Sequence, residues 1–324
     1  MEATPADLGS GSGTRGAIER QGGRFPDFYI VGAPRCGTTF MYEYLDRHPA
    51  IFMSPRKEPG YLCPDLDSGS YLDSLSFMRD EGRYLGLFAE APIGSLTGEA
   101  TTWYLYSKAA STRIAEVNPE ARIVIMLRDP VEMLYSLHGR RIYGGSEDLL
   151  SFEEALDAEE DRRKGRRIPK RARNVTALQY RDVGRYHDQV RRYLSTFGTE
   201  RVHIVIFEEF REDPSKAYRE TLSFLGVDAS FVPDFAVVNA NAARRSQRLR
   251  QLMLAPVVVR AARVLIPRSL HPRVGPIIDA LTTRQVTRPA LSPATRASLK
   301  DDLRPDVERL SGLIERDLAG RWGY

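Results

Sequence analysis

The chain has 324 residues, of which 42% are hydrophobic and 28% charged, with 47 basic side chains against 43 acidic ones. That balance fits one large α/β domain and gives no reason to expect a nucleic-acid partner, although a locally basic pocket for an anionic ligand suits it. Two cysteines, Cys36 and Cys63, cannot build a disulfide framework or a four-ligand zinc site, and the sequence has no apolar run of about 18 residues that would predict a membrane-spanning helix.

Residues 1–24 are rich in Gly, Ser and charge, lack the apolar stretch of a signal peptide, and read as a flexible tail before a domain over 25–324. A cytoplasmic, reducing location is the default expectation. Residues 27–31 form a short, mostly apolar run ending at Gly32, which predicts a buried strand. A helix is expected over 39–47, with Phe40, Tyr44 and Leu45 on one face. Between them lies the turn Gly32-Ala33-Pro34-Arg35-Cys36-Gly37-Thr38. Strand, glycine-bearing turn and helix together make a phosphate cradle, because backbone N–H groups and the helix N-terminus favour an anion. Against the nucleotide pattern G-x-x-x-x-G-K-[ST], Thr39 fits but Thr38 stands at the lysine position, and Arg35 inside the loop carries the cation.

A short strand at 50–53 precedes Arg56-Lys57-Glu58-Pro59, where Pro59 predicts an extended Glu58. Residues 121–127 include an unbroken apolar run, as in a central parallel strand, and end at Arg128-Asp129-Pro130. Asp129 caps and Pro130 opens a helix that carries Ser136 two turns on, which brings a guanidinium and a hydroxyl to one phosphate. The charged stretch 153–173, centred on 162–167, reads either as a solvated helix and loop or as a basic rim for an anionic acceptor. An amphipathic helix over 183–197 and a strand over 202–207 follow, and residues 292–322 have helical periodicity. The apolar segment 255–266 reads as a packed helix or lid and leaves room for peripheral membrane contact. Strands alternating with helices predict an α/β fold, a P-loop-type central parallel sheet with helices on both faces.

The segment Gly32-Ala33-Pro34-Arg35-Cys36-Gly37-Thr38-Thr39 resembles the 5′-phosphosulfate loop of the sulfotransferases that use 3′-phosphoadenosine 5′-phosphosulfate (PAPS). Arg35 replaces their commoner lysine. Arg128-Asp129-Pro130 with Ser136 resembles the family's 3′-phosphate element. The resemblance runs from about residue 28 to 322. It implies Arg35, Cys36, Gly37, Thr38, Thr39, Arg128 and Ser136 as cofactor ligands and sulfuryl transfer to a hydroxyl on a carbohydrate or other small-molecule acceptor, with no metal. Lys57-Glu58-Pro59 is similar to the Lys-Glu-Pro segment of the heparan sulfate sulfotransferases, which makes Glu58 the implied base beside Arg35. The family's histidine and aspartate fall here on Gly60 and Cys63. Residues 98–105 resemble a further segment, Gly-Glu-Ala-Ser-Pro-x-Tyr-Leu, with Thr102 where that segment has proline. His138 is the rival base and Glu99 another acid of the pocket, while Arg244 and Arg245 are weaker cofactor candidates in a basic loop over 239–250. Two other readings are a P-loop small-molecule kinase and a non-catalytic nucleotide-binding protein. Thr38 and Arg128 weigh against the first, and the joint presence of Arg35, Arg128, Ser136 and Glu58 against the second.

Overall fold

A computed structural model describes residues 24–233, 235, 243–244, 283–284 and 290–324. Residues 1–23 of the expected tail, the apolar segment 255–266, Arg245 and the side chain of Arg244 lie outside the described residues. Five parallel strands, β1 (Phe28–Gly32), β2 (Ile51–Met53), β3 (Leu96–Ala100), β4 (Arg122–Leu127) and β5 (Val202–Ile206), pair in the order β2-β3-β1-β4-β5. All five residues of β1 and the last five of β4 are buried, as continuous apolar runs demand of central strands in a covered sheet. This is the expected α/β fold, with helices packed around a parallel sheet.

The helices in chain order are α1 (Thr38–Asp46), α2 (Glu81–Leu85), α3 (Ala110–Val117), α4 (Pro130–Gly144), α5 (Phe152–Asp157), α6 (Glu159–Arg163), α7 (Tyr180–Gly184), α8 (Tyr186–Phe197), α9 (Phe207–Glu212), α10 (Pro214–Leu225), α11 (Pro293–Leu313) and α12 (Leu318–Trp322). Asp129 caps α4 by accepting from the Val131 N–H at 2.9 Å, and Pro130 occupies its first position. Leu299, Leu303, Val307 and Leu310 of α11 are buried in the main core, the face their spacing predicts.

One expectation is corrected and one open alternative is resolved. The helix expected over 183–197 is broken at Arg185, whose ψ of 91° is extended. The Gln189 side-chain amide accounts for the break, since it donates to the carbonyls of Asp182, Val183 and Arg185 at 3.2, 3.0 and 2.8 Å. The basic run 162–167 follows the first of its two readings, a largely solvated helix and loop, and its charges are paired within the protein. Arg162 is buried against Glu147 at 2.7 Å, Arg163 and Lys164 pair with Glu160, and Arg166 and Arg167 pair with Asp161.

Because the five strands of this sheet run the same way, the segments leaving β1, β2, β3 and β4 emerge along one edge of it. That is where open α/β sheets bind ligands.

Candidate active site

The loop after β1 turns tightly because its glycines stand where no side chain fits. A Cβ on Gly32 would lie 2.6 Å from the Leu105 Cβ and 2.8 Å from the Thr102 carbonyl oxygen. Gly37, the N-cap of α1, has φ +86°, and a Cβ there would meet the Phe207 ring at 2.9 Å. Thr38 is buried at the start of α1, and Thr39 is exposed beside it. The Cys36 thiol is buried, lies 3.9 Å from the Tyr186 hydroxyl, and is pushed up to about 12 by burial. A thiol held that far up is little ionised near neutral pH and makes a weak nucleophile.

Arg35 has φ +64°, a left-handed conformation that costs a non-glycine residue roughly 1–2 kcal/mol. Its Nε donates to the Ser136 Oγ at 2.9 Å, so the structure joins the loop after β1 to the helix after β4. Burial, then the like charges of Arg140 and Arg128, pull the Arg35 guanidinium below its ordinary value. Arg128 lies with its guanidinium carbon 5.0 Å from the Phe207 ring centre, and its Nη2 is 3.6 Å from Glu132 Oε2. Glu132 is shared with Arg296 at 2.5 Å. Arg35 thus has two further guanidiniums, Arg128 and Arg140, close enough for their charges to act on it, an arrangement suited to a polyanion.

Glu58 does not adopt the extended conformation expected before Pro59. Its φ is +59°. Two contacts with the segment leaving β3 hold it there: its N–H donates to the Ala100 carbonyl at 2.8 Å, and the Thr102 hydroxyl donates to its Oε1 at 3.0 Å. Lys57 Nζ reaches the same oxygen at 3.2 Å. The side chain stays 45% exposed, open to a pocket of about 390 Å³ lined by Lys57, Thr101, Trp103, Arg140, Arg173 and Asn174 among others. Glu58 and Arg35 are close enough for their charges to interact. A larger cleft of about 590 Å³ runs along β5 beside α9 and α10, and none of the predicted site residues lines it.

His138 is fully buried, with Nε2 2.9 Å from the Leu149 carbonyl oxygen and its ring packed against Phe152 and Tyr180. It supports α4 from inside the core. Glu99 is also fully buried, beneath the pocket, where it accepts from Thr101 at 2.5 Å, Tyr84 at 2.8 Å and Tyr104 at 2.9 Å.

Burial pushes the Glu99 carboxyl from 4.5 up to about 7, against the opposing pull of its three hydroxyl donors. An acid that holds its proton more tightly when folded has no effect on stability below the unfolded value, where both states are protonated. Stability is then lost as pH rises from about 4.5 to about 7, and the loss is constant above. The full loss is on the order of 3 kcal/mol. Glu99→Gln is expected to flatten this decline in melting temperatures measured from pH 5 to 8. Parallel curves for the two proteins would show that Glu99 does not titrate as described.

Sequence reasoning missed several contributors. Arg140 follows Ser136 by one helical turn, and helical spacing alone puts it on the same face. Phe207 bridges the loop after β1 and the end of β4, lying against Gly37 and under Arg128. The chain end locks the turn before α4: the Tyr324 hydroxyl donates to Asp129 at 3.1 Å, and Trp322 Nε1 donates to Glu208, which accepts from the Asp129 N–H. No sequence signal linked these distant residues.

A parallel sheet with a strand–loop–helix anion cradle, clustered arginines and a pocket carboxylate defines an α/β group-transfer enzyme of P-loop type. The chain belongs to the sulfotransferase family: the family's sulfotransferase domain matches residues 25–248. A sulfotransferase from Alicyclobacillus acidocaldarius is similar in structure, with a TM-score of 0.70 at 30% identity over 93% of this chain and 99% of that one. The human bifunctional heparan sulfate N-deacetylase/N-sulfotransferase 3 is 29% identical over 211 residues, 63% of this chain and 22% of that protein. Mouse carbohydrate sulfotransferase 15 is 33% identical over 147 residues, 34% of this chain and 26% of that protein. The matches thus span about a quarter or less of these two curated relatives.

Proposed function

We propose that the protein transfers a sulfuryl group from PAPS to a hydroxyl of a carbohydrate acceptor and releases adenosine 3′,5′-bisphosphate. The observation that carries this reading is the Arg35–Ser136 hydrogen bond, which joins the two strand–helix units, with Arg128 and Arg140 near enough to act on the Arg35 charge and Glu58 lining a pocket with Arg140. In this reading the loop over 35–39 holds the 5′-phosphosulfate through its backbone N–H groups, Thr38, Thr39 and Arg35. Arg128 and Ser136 hold the 3′-phosphate. Glu58 accepts the proton of the attacking hydroxyl as the new O–S bond forms. The S–O bond to the 5′-phosphate then breaks, and Arg35 neutralises the charge that develops on the leaving oxygen.

Carbohydrate is favoured over other alcohols by two features. Trp103 gives the pocket a flat face with a polar edge, and Arg140 and Arg173 give it donors suited to a polar or acidic sugar. The sulfotransferases to which the chain is similar include two named for heparan sulfate and carbohydrate. Two buried free thiols suit a reducing, cytoplasmic setting.

The test is transfer of label from isotopically labelled PAPS to a panel of methyl glycosides and oligosaccharides, with and without EDTA. Because Arg35 supplies the positive charge at the leaving oxygen, label should appear in a sugar at similar rates in both. Loss of transfer in EDTA that Mg²⁺ restores, or phosphorylation of the same panel from ATP, would count against this reading.

A further inference from the structure

The segment leaving β3 serves as a template for the loop that carries Glu58. Three contacts stitch the two together. The Glu58 N–H donates to the Ala100 carbonyl at 2.8 Å, the Gly60 N–H to the Thr101 hydroxyl at 3.3 Å, and the Thr102 hydroxyl to Glu58 Oε1 at 3.0 Å. The first two fix the backbone. The third acts on the carboxylate itself, and it comes from the position where the resembled family segment carries a proline, which has no side-chain donor.

Thr102 is 3% exposed, and its backbone carbonyl also lies against Gly32, so its own place is fixed by packing. Its hydroxyl and the Lys57 ammonium both reach Oε1 of Glu58, whereas Oε2 has no hydrogen-bond partner among the described residues. One carboxylate oxygen is therefore tied down and the other is left free of such a tether. An exposed glutamate otherwise spreads over several rotamers, and locking it in one of them preorganises it for proton transfer.

We propose that Thr102 is a positioning residue that orients the Glu58 carboxylate toward the acceptor hydroxyl, in place of the proline found in related sequences. This rests on the reading of Glu58 as the base. The variants that test it are Thr102→Val, which keeps the shape and removes the donor, and Thr102→Ser, which keeps the donor. Each is also combined with Glu58→Gln. The probe reaction is transfer from labelled PAPS to methyl β-D-glucopyranoside.

Thr102→Val should lower kcat by about tenfold, the scale of one hydrogen bond to a charged group, with KM for PAPS unchanged. Thr102→Ser should restore most of the loss. In the Glu58→Gln background Thr102→Val should cost almost nothing further, because the carboxylate it orients is already gone. A crystal structure of Thr102→Val with adenosine 3′,5′-bisphosphate gives a readout independent of any acceptor, and Glu58 should be displaced from its native rotamer. The proposal is overturned if Thr102→Val keeps full kcat, if Thr102→Ser loses as much as Thr102→Val, or if Glu58 keeps its native position in that crystal. Loss of turnover in Glu58→Gln with Thr102→Val intact overturns the proposal alone, whereas full turnover in Glu58→Gln removes the base and the proposal together.

Discussion

Glu58→Gln is expected to lower single-turnover sulfuryl transfer by about 10²–10⁴-fold, the scale of a positioned general base. The variant keeps the size and the hydrogen-bonding capacity of the side chain, so the Thr102 and Lys57 neighbours remain in place. It removes only the carboxylate proposed to take the proton. Adenosine 3′,5′-bisphosphate affinity should change by less than about tenfold, or roughly 1.4 kcal/mol, because Glu58 lies on the acceptor side of Arg35. His138→Asn is the control with the opposite expectation. That ring is buried between Phe152 and Tyr180, so the substitution should lower the melting temperature while the folded enzyme still turns over. Normal turnover in Glu58→Gln, with turnover lost and binding intact in His138→Asn, would move the base to the histidine.

Arg128→Ala should erase most of the preference for adenosine 3′,5′-bisphosphate over AMP. A charge-assisted hydrogen bond to a phosphate contributes roughly 1.5–3 kcal/mol, and AMP lacks the group that receives it. The lost affinity should therefore be about 10- to 100-fold for the bisphosphate and close to zero for AMP. The packing of Arg128 over Phe207 makes the size of the melting-temperature change a useful check, since Phe207 also lines the turn at Gly37. A uniform loss for both nucleotides would mean that Arg128 shapes the site and does not read the 3′-phosphate.

Much of this site is written in short, local patterns. The strand, glycine turn and helix around Arg35, and the strand, Asp129 cap and helix around Ser136, are each set by neighbouring residues. The parallel sheet then follows from long apolar runs at 28–31 and 123–127, which only a sheet covered on both faces can bury. β3 is the strand that reading for periodicity passed over. Thr97, Gly98 and Glu99 in its middle are polar or small, yet all three are buried. They are tolerated because distant partners satisfy them: Asp27 accepts from the Thr97 N–H and hydroxyl at 2.7 and 2.8 Å, and two tyrosines reach Glu99.

The conformation of Glu58 was hidden for a similar reason. Pro59 biases its predecessor toward extended backbone, but the Ala100 carbonyl and the Thr102 hydroxyl, more than 40 residues away, hold it left-handed. Local preference yielded to tertiary contacts where Glu58 had to be aimed. The Tyr324 and Trp322 contacts with the turn before α4 are of the same kind, because sequence patterns carry no information on which remote side chain closes a cap.

Calorimetric titration of the unmodified protein with adenosine 3′,5′-bisphosphate, AMP and ATP with Mg²⁺ tests the central claim most directly, since it needs no knowledge of the acceptor. Arg35, tied to Ser136 and near Arg128 and Arg140, predicts tight binding of the bisphosphate, at least about tenfold tighter than AMP, with ATP and Mg²⁺ weaker still. Equal affinity for the bisphosphate and AMP, or a preference for ATP with Mg²⁺, would contradict the assignment of this site to PAPS.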